Sequence, residues 1–196
     1  MKRLISLFLA IGFIVFLGML NQGCSSTPTT PATPTATATP NYKRVFVTSG
    51  TFTGNLGGLA GADATCLIYA TAANLGGTWV AYVSDTYTTA YSKIADVGPW
   101  YLVDRSTKVF NNKSNILTTP LTYINRTESG LVGSSFNVWT GTSSTGAATS
   151  YNCNNWTVGT GYSYNGTYGY SSSQSQWSQY SYDYCSYSYH LYCFEQ

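Results

Sequence analysis

TGNLGGLAGADATCLIYATAANLGGTWVAYVS (residues 53–84) is the stretch on which the fold class turns. Leu59, Ala62, Cys66, Ala70 and Ala73 recur at steps of three and four, which predicts a helix with one small, apolar stripe. Cys66 lies on that stripe and is expected to face the core. Gly76 and Gly77 are expected to stop the helix by adopting left-handed backbone, and Asp63 to sit in its first turn, where a negative charge suits the dipole. TWVAYVS (78–84) then reads as a strand, with Trp79, Ala81 and Val83 on one side and Val80 and Tyr82 on the other. The glycines ahead of the helix lack the G-x-G-x-x-G spacing of a dinucleotide loop. A tight turn with close helix packing accounts for them.

Shorter strands are expected on both sides of this unit: KRVFVTS (43–49), PWYLVD (99–104), PLTYIN (120–125), FNVWTG (136–141) and HLYCFE (190–195). One clear helix among several short strands argues for an α+β domain rather than an alternating parallel sheet. That domain is expected to run over residues 41–196.

Ahead of it, residues 1–23 read as an export signal. Lys2 and Arg3 precede an apolar run from Leu4 to Met19, shorter than the roughly 20 residues a spanning helix needs, so cleavage is favoured over permanent anchoring. Residues 25–40, SSTPTTPATPTATATP, hold no charge, no aromatic residue and four prolines. Such a tract cannot bury enough apolar surface to order itself. Extended, it would span about 50 Å as a stalk; the alternative is a tail without a role.

The formal charge is +2, and Lys2 and Arg3 account for it: seven basic residues lie after Cys24 against seven acids. A neutral chain with 8% charged residues exerts no long-range pull on phosphate backbones, so nucleic acid is not an expected partner. Export implies an oxidising compartment, in which cysteines pair. Cys66, Cys153, Cys185 and Cys193 admit three connectivities, and spacing does not choose among them. A zinc site is the competing reading, but there is no CxxC pair and His190 is the only histidine. No metal and no cofactor are expected.

From Tyr151 onward the chain holds 11 of its 18 tyrosines, separated by Ser, Gly and Asn. Tyrosine offers a large amphipathic contact area at low entropy, while Ser, Gly and Asn give adaptable polar contacts. Trp156, Trp177, Tyr180 and Tyr182 are therefore the candidate ligand-binding residues. The alternative is that the tyrosines only shield a core poor in large aliphatics, with both tryptophans filling it.

Three segments carry a family likeness. GLAGADATCLIYATAANLGGTWVAYVSDT (58–86), VWTGTSSTGAATSYNCNNW (138–156) and HLYCFEQ (190–196) resemble the helix-and-strand segment, the Trp-Thr-Gly turn with its cysteine and tryptophan, and the final strand of endostatin. They are more similar still to an uncharacterised domain family abundant in leptospiral lipoproteins. The resemblance implies a C-type-lectin-like fold in which first and last strands meet. It also implies two nested disulfides, Cys66–Cys193 and Cys153–Cys185. It transfers no activity: an arginine-rich heparin surface and N-terminal zinc histidines are absent, and Asn154-Asn155-Trp156 lacks the acid of a calcium–sugar motif.

Cys24, the fifth cysteine, follows the apolar segment with Leu20 at −4, Gly23 at −1 and Ser25 after it, resembling a relaxed spirochaetal lipobox. It is the expected lipidation site, and a free or intermolecularly paired thiol is the alternative. No catalytic set is expected. His190 is expected to be structural, GTSSTG (141–146) misses the nucleophile-elbow spacing, and no carboxylate pair can be assembled from spacing. The expectation is a non-enzymatic lipoprotein on the bacterial outer membrane or cell surface, anchored by lipid. It would act as a binding or adhesion module for a host protein, matrix protein or glycan. A structural envelope role and, less favoured, a hydrolase are the alternatives.

Overall fold

The structure, a computed structural model, describes residues 42–196. The export segment, Cys24 and the Thr/Pro tract lie outside the described residues. The domain is α+β. In chain order it comprises β1 (Lys43–Val47), α1 (Gly58–Ala72), β2 (Trp79–Ala81), a one-turn helix α2 (Ala90–Lys93), β3 (Trp100–Leu102) and β4 (Lys108–Phe110). A 3-10 turn (Lys113–Leu117), β5 (Asn137–Trp139), β6 (Asn165–Tyr170), β7 (Ser181–Tyr184) and β8 (Tyr192–Glu195) complete it.

The strands form a five-stranded sheet of order β2-β8-β1-β3-β4 and a three-stranded sheet of order β5-β6-β7. The last strand is thus inserted beside the first, with Val45 opposite Phe194 and Phe46 opposite Cys193. Only β1 and β3 run parallel. The two sheets join where Val138 of β5 bridges to His190, just ahead of β8.

The larger sheet is buried on both faces, which explains its near-continuous apolar strands. Phe46, Trp79, Ala81, Val83 and Cys193 face α1, which contributes Ala62, Cys66 and Ala70. Val45, Val47, Tyr82, Tyr192 and Phe194 face the other way, against Trp100, Ile116 and Trp177. The expected split of residues 79–83 between two sides is therefore what the packing shows. Cys66–Cys193 ties α1 to β8 across 127 residues of sequence, and Cys153–Cys185 closes the Tyr-rich segment.

Four local expectations need correction. Residues 120–125 are not a strand. Pro120 has no N–H to give a ladder, and although Pro120 and Ile124 are buried while Leu121 is exposed, the segment is a loop. Helix α1 is ended by Asn74, at φ 55, not by Gly76. Asn74 N–H donates to Thr71 and Leu75 N–H to Ala70, a Schellman pattern in which asparagine takes the left-handed place. Asp63 lies in the second turn of α1 and serves as a strut: it accepts from Ala81 N–H at 2.8 Å and from Lys93 Nζ at 2.6 Å. Finally, β4, β6 and β7 are strands in addition to those the sequence predicts. In β6 (NGTYGY), Gly166 and Gly169 hide the strand signal, and both are required sterically. A Cβ on Gly169 would strike the Trp177 carbonyl, and one on Gly166 would sit 2.8 Å from Cys153 Sγ.

Candidate functional site

All five tryptophans are buried, and each indole N–H donates to a backbone carbonyl. Trp156 binds Ser84 at 2.7 Å and Trp177 binds Thr118 at 3.1 Å. A buried indole that hydrogen-bonds its own backbone is a packing element. Trp156 and Trp177 thus belong to the core, and the expectation that they contact ligand is corrected. Trp156 reaches its place through a left-handed turn, Cys153–Trp156, with φ of 53, 55, 55 and 63. Asparagine tolerates that region better than other non-glycine residues, which gives Asn154-Asn155 a structural reason. Asn155 also accepts from Thr86 N–H and hydroxyl at 3.0 and 2.7 Å, pinning the loop after β2.

Tyr180 and Tyr182 are exposed, at 49% and 55%. They are not alone: Tyr151, Tyr162, Tyr164, Tyr184 and Tyr187 are exposed too, seven of the 11 tyrosines after residue 150. β7, the free edge strand of the small sheet, places Tyr182 on the face of its cross-strand partner Thr167, while Tyr180, just ahead of β7, packs against Tyr168 and Tyr170; both border an open groove of about 620 Å³. Tyr151 forms part of the same groove, with its ring stacked on Tyr182 at 4.4 Å. Tyr180 is braced by Tyr170 at 5.4 Å and Tyr168 at 5.8 Å. Thr167, paired with Tyr182 across the strands, lies deepest and shares a 2.8 Å hydroxyl contact with Thr149. Ser150, Ser181 and Gln179 complete the lining. Gln179 Oε1 accepts from Ser144 N–H at 2.9 Å, which fixes its amide plane.

Behind the groove the aromatic network continues inward through Tyr168 and Tyr189 to Trp139. Burial, followed by the charge of Asp183, raises the pKa of Tyr168. Burial, then the 2.7 Å hydrogen bond to Asp183 and its charge, does the same for Tyr189. Both stay neutral phenols that can donate. Tyr151, Thr149, Thr167 and Gln179 escaped the sequence reading because they reach Tyr180 and Tyr182 only through strand pairing and loop return. For Tyr151, Thr167 and Gln179 the sole signal was membership of the Tyr-rich third, and Thr149, just ahead of it, had none.

A second depression, about 310 Å³, holds Asp104, Arg126 and Glu128. Its charges are engaged internally. Arg126 contacts Asp104 at 3.3 Å and the Gly130 carbonyl at 3.1 Å, and Glu128 accepts from Ser49 N–H and hydroxyl at 2.9 and 2.5 Å. His190, close by in sequence to β8, donates from Nδ1 to the Thr48 carbonyl at 2.6 Å. A serine relay needs the hydroxyl to donate to the imidazole and the imidazole to the carboxylate. Here Ser49 donates directly to Glu128 and His190 to backbone. Among the described residues no three His, Cys, Asp or Glu side chains converge as a metal-ligand set.

Residues 49–174, more than half of the chain, match the family described as "Protein of unknown function (DUF1554)". The chain belongs to the DUF1554 family. The matched span starts just after β1 and takes in α1, β2 to β6 and the left-handed turn. Tyr180, Tyr182, the second cysteine of each disulfide and β8 all lie beyond it, so this DUF1554 domain is completed by a segment outside the family match. No curated protein matches the chain.

Proposed function

We propose that this DUF1554 protein is an exported lipoprotein. In this reading it is cleaved ahead of Cys24, anchored to the bacterial envelope by an acyl group on that cysteine, and held away from the membrane by residues 25–40. Its head is a binding or adhesion module with a C-type-lectin-like, endostatin-like arrangement. Pairing of the first and last strands and the helix-to-last-strand disulfide support that arrangement. The observation that carries the binding reading is the exposure of seven tyrosines around β6 and β7, three of them on one groove. A folding-only role would bury these rings, as it buries all five tryptophans.

An array of glycans, matrix proteins and host proteins, probed with the full-length chain in detergent, tests the module. Saturable binding to one class supports it, and a blank array favours the structural envelope role. Mass spectrometry of the mature N-terminus tests the anchor. An acylated residue 24 is expected, and an unmodified residue 24 or a start downstream of it overturns the lipoprotein reading.

A further inference from the structure

The charge distribution around the groove narrows its ligand. From Ser129 to Tyr189 the only Asp, Glu, Lys or Arg is Asp183. Its carboxylate is already engaged by the Tyr189 hydroxyl at 2.7 Å and Tyr184 N–H at 2.8 Å. Nothing in the groove can neutralise a sulfate, phosphate, carboxylate or ammonium, so a charged ligand would lose hydration without gaining a partner. A calcium-bridged ligand is equally unsupported by the lining. Calcium takes six to eight oxygens with carboxylates among them, and the groove is lined by hydroxyls, phenols and one carboxamide.

What the groove does offer is ring faces interleaved with neutral hydrogen-bonding groups. The Tyr151–Tyr182 pair and the braced Tyr180 are held before any ligand arrives, which lowers the ordering entropy of binding. A pyranose ring presents a face of weakly positive C–H bonds that suits the negative face of a phenol, with hydroxyls around its rim. Ser150 and Ser181 can both donate to and accept from that rim, and Gln179, its Oε1 already held by Ser144, can donate from Nε2. A proline-rich peptide also suits tyrosine-lined grooves, but proline supplies carbonyl acceptors and no N–H. It would leave the acceptor half of the two serines unused. The volume, about 620 Å³, falls within the range of small-ligand sites.

We infer that the groove between Tyr180, Tyr182 and Tyr151 binds an uncharged glycan chain, by stacking and hydroxyl contacts and without calcium. The inference rests on the reading of this domain as a binding module and names the ligand class of that site.

Titration of the full-length chain in detergent tests it. The probes are neutral gluco-, galacto- and manno-oligosaccharides, heparin and a Thr/Pro-rich peptide, each with calcium or EDTA and at low and high salt. A neutral oligosaccharide is expected to bind saturably, with less than about a twofold change on adding EDTA or salt. Tyr182→Ala and Tyr180→Ala are each expected to weaken it about tenfold. Tyr182→Phe, which keeps the ring, should retain most of the affinity, and Tyr87→Ala, at an exposed tyrosine outside the groove lining, all of it. Near-UV circular dichroism checks that each variant is folded. Binding of heparin or peptide alone, or binding lost in EDTA, overturns the ligand class while leaving a binding module. Neutral-glycan binding indifferent to Tyr180 and Tyr182 overturns the groove. A blank with every probe, together with a blank array, overturns both readings.

Discussion

Arg44 Nε and Glu195 Oε2 meet at 2.6 Å in the interior, joining the first strand of the domain to the last, 151 residues apart. Glu195 also accepts from Arg44 N–H at 3.0 Å, while Arg44 Nη2 donates to the Leu75 carbonyl just past α1. The guanidinium lies over the Trp79 ring at 5.4 Å. Arg44 thus binds β8, the exit of α1 and β2 at once, and its Nη1 is the one nitrogen of the group without a partner among the described residues. Glu195→Ala strands this cation in the interior. A loss of about 3–5 kcal/mol in urea unfolding is expected, against a smaller loss for the paired replacement Arg44→Met with Glu195→Leu. Equal losses would show that the pair itself, rather than its disruption, carries the stability.

Cys66–Cys193 and Cys153–Cys185 close loops of 127 and 32 residues. In the chain-entropy picture these are worth about 5 and about 4 kcal/mol. Replacing Cys66 and Cys193 together by Ala should lower the unfolding midpoint more than the same change at Cys153 and Cys185. Thermal unfolding of the two double variants, without reductant, measures the order.

Trp177 contacts Tyr82, Phe110 and Tyr192 in the core rather than lying on the surface. Trp177→Ala is expected to cost about 3–5 kcal/mol of stability. Trp156→Phe, which keeps the bulk but leaves the Ser84 carbonyl unpaired, should cost about 1–3 kcal/mol. Denaturant midpoints report both. A folded Trp177→Ala protein of wild-type stability that has lost only its ligand would put this tryptophan back in the binding surface.

Two groups set the acid response. Burial lowers the pKa of His190 below its ordinary 6.5, against the opposing pull of the Thr48 and Gly50 carbonyls and of Glu128. The unfolded chain then holds more protons, so this contribution is complete above about pH 6.5 and is lost as pH falls through the lower folded value. Asp104 behaves in the same sense at lower pH. Burial would raise it, but Thr107 and Ser106 N–H, the Thr107 hydroxyl and Arg126 together hold it at about 2. Its contribution fades between about pH 4 and 2. His190→Asn should flatten the upper limb of a stability–pH profile and leave the lower one. Asp104→Asn should do the reverse.

Gly169→Ala tests the close crossing of β6 over Trp177. The added methyl meets a carbonyl oxygen that cannot swing aside, so strong destabilisation is expected, whereas Gly76→Ala meets no atom within 4 Å and is limited to the strain of its φ of 65. Parallel denaturant curves for the two variants distinguish them.

Helix α1 and strand β2 were legible because their signals are local: a 3–4 spacing around Ala62, Cys66 and Ala70, and an alternation from Trp79 to Val83 that sorts onto two faces of one sheet. The α+β class followed from them, and composition alone marked the sparsely charged, Tyr-rich last third. Strands β6 and β7 were not legible. Gly166 and Gly169 are there for the clearance of Trp139, Cys153 and Trp177, which come from elsewhere in the chain. The same holds for the candidate site. Composition marked a tyrosine surface but could not separate rings that fill space from rings that face solvent, because burial depends on what returns to cover them. Sequence by itself determined the helix, the two-faced strand and the scarcity of charge in the last third. Only the tertiary structure buried Trp156 and Trp177 and brought Tyr151 against Tyr182, since those outcomes depend on strand pairing and loop return across 31 residues and more.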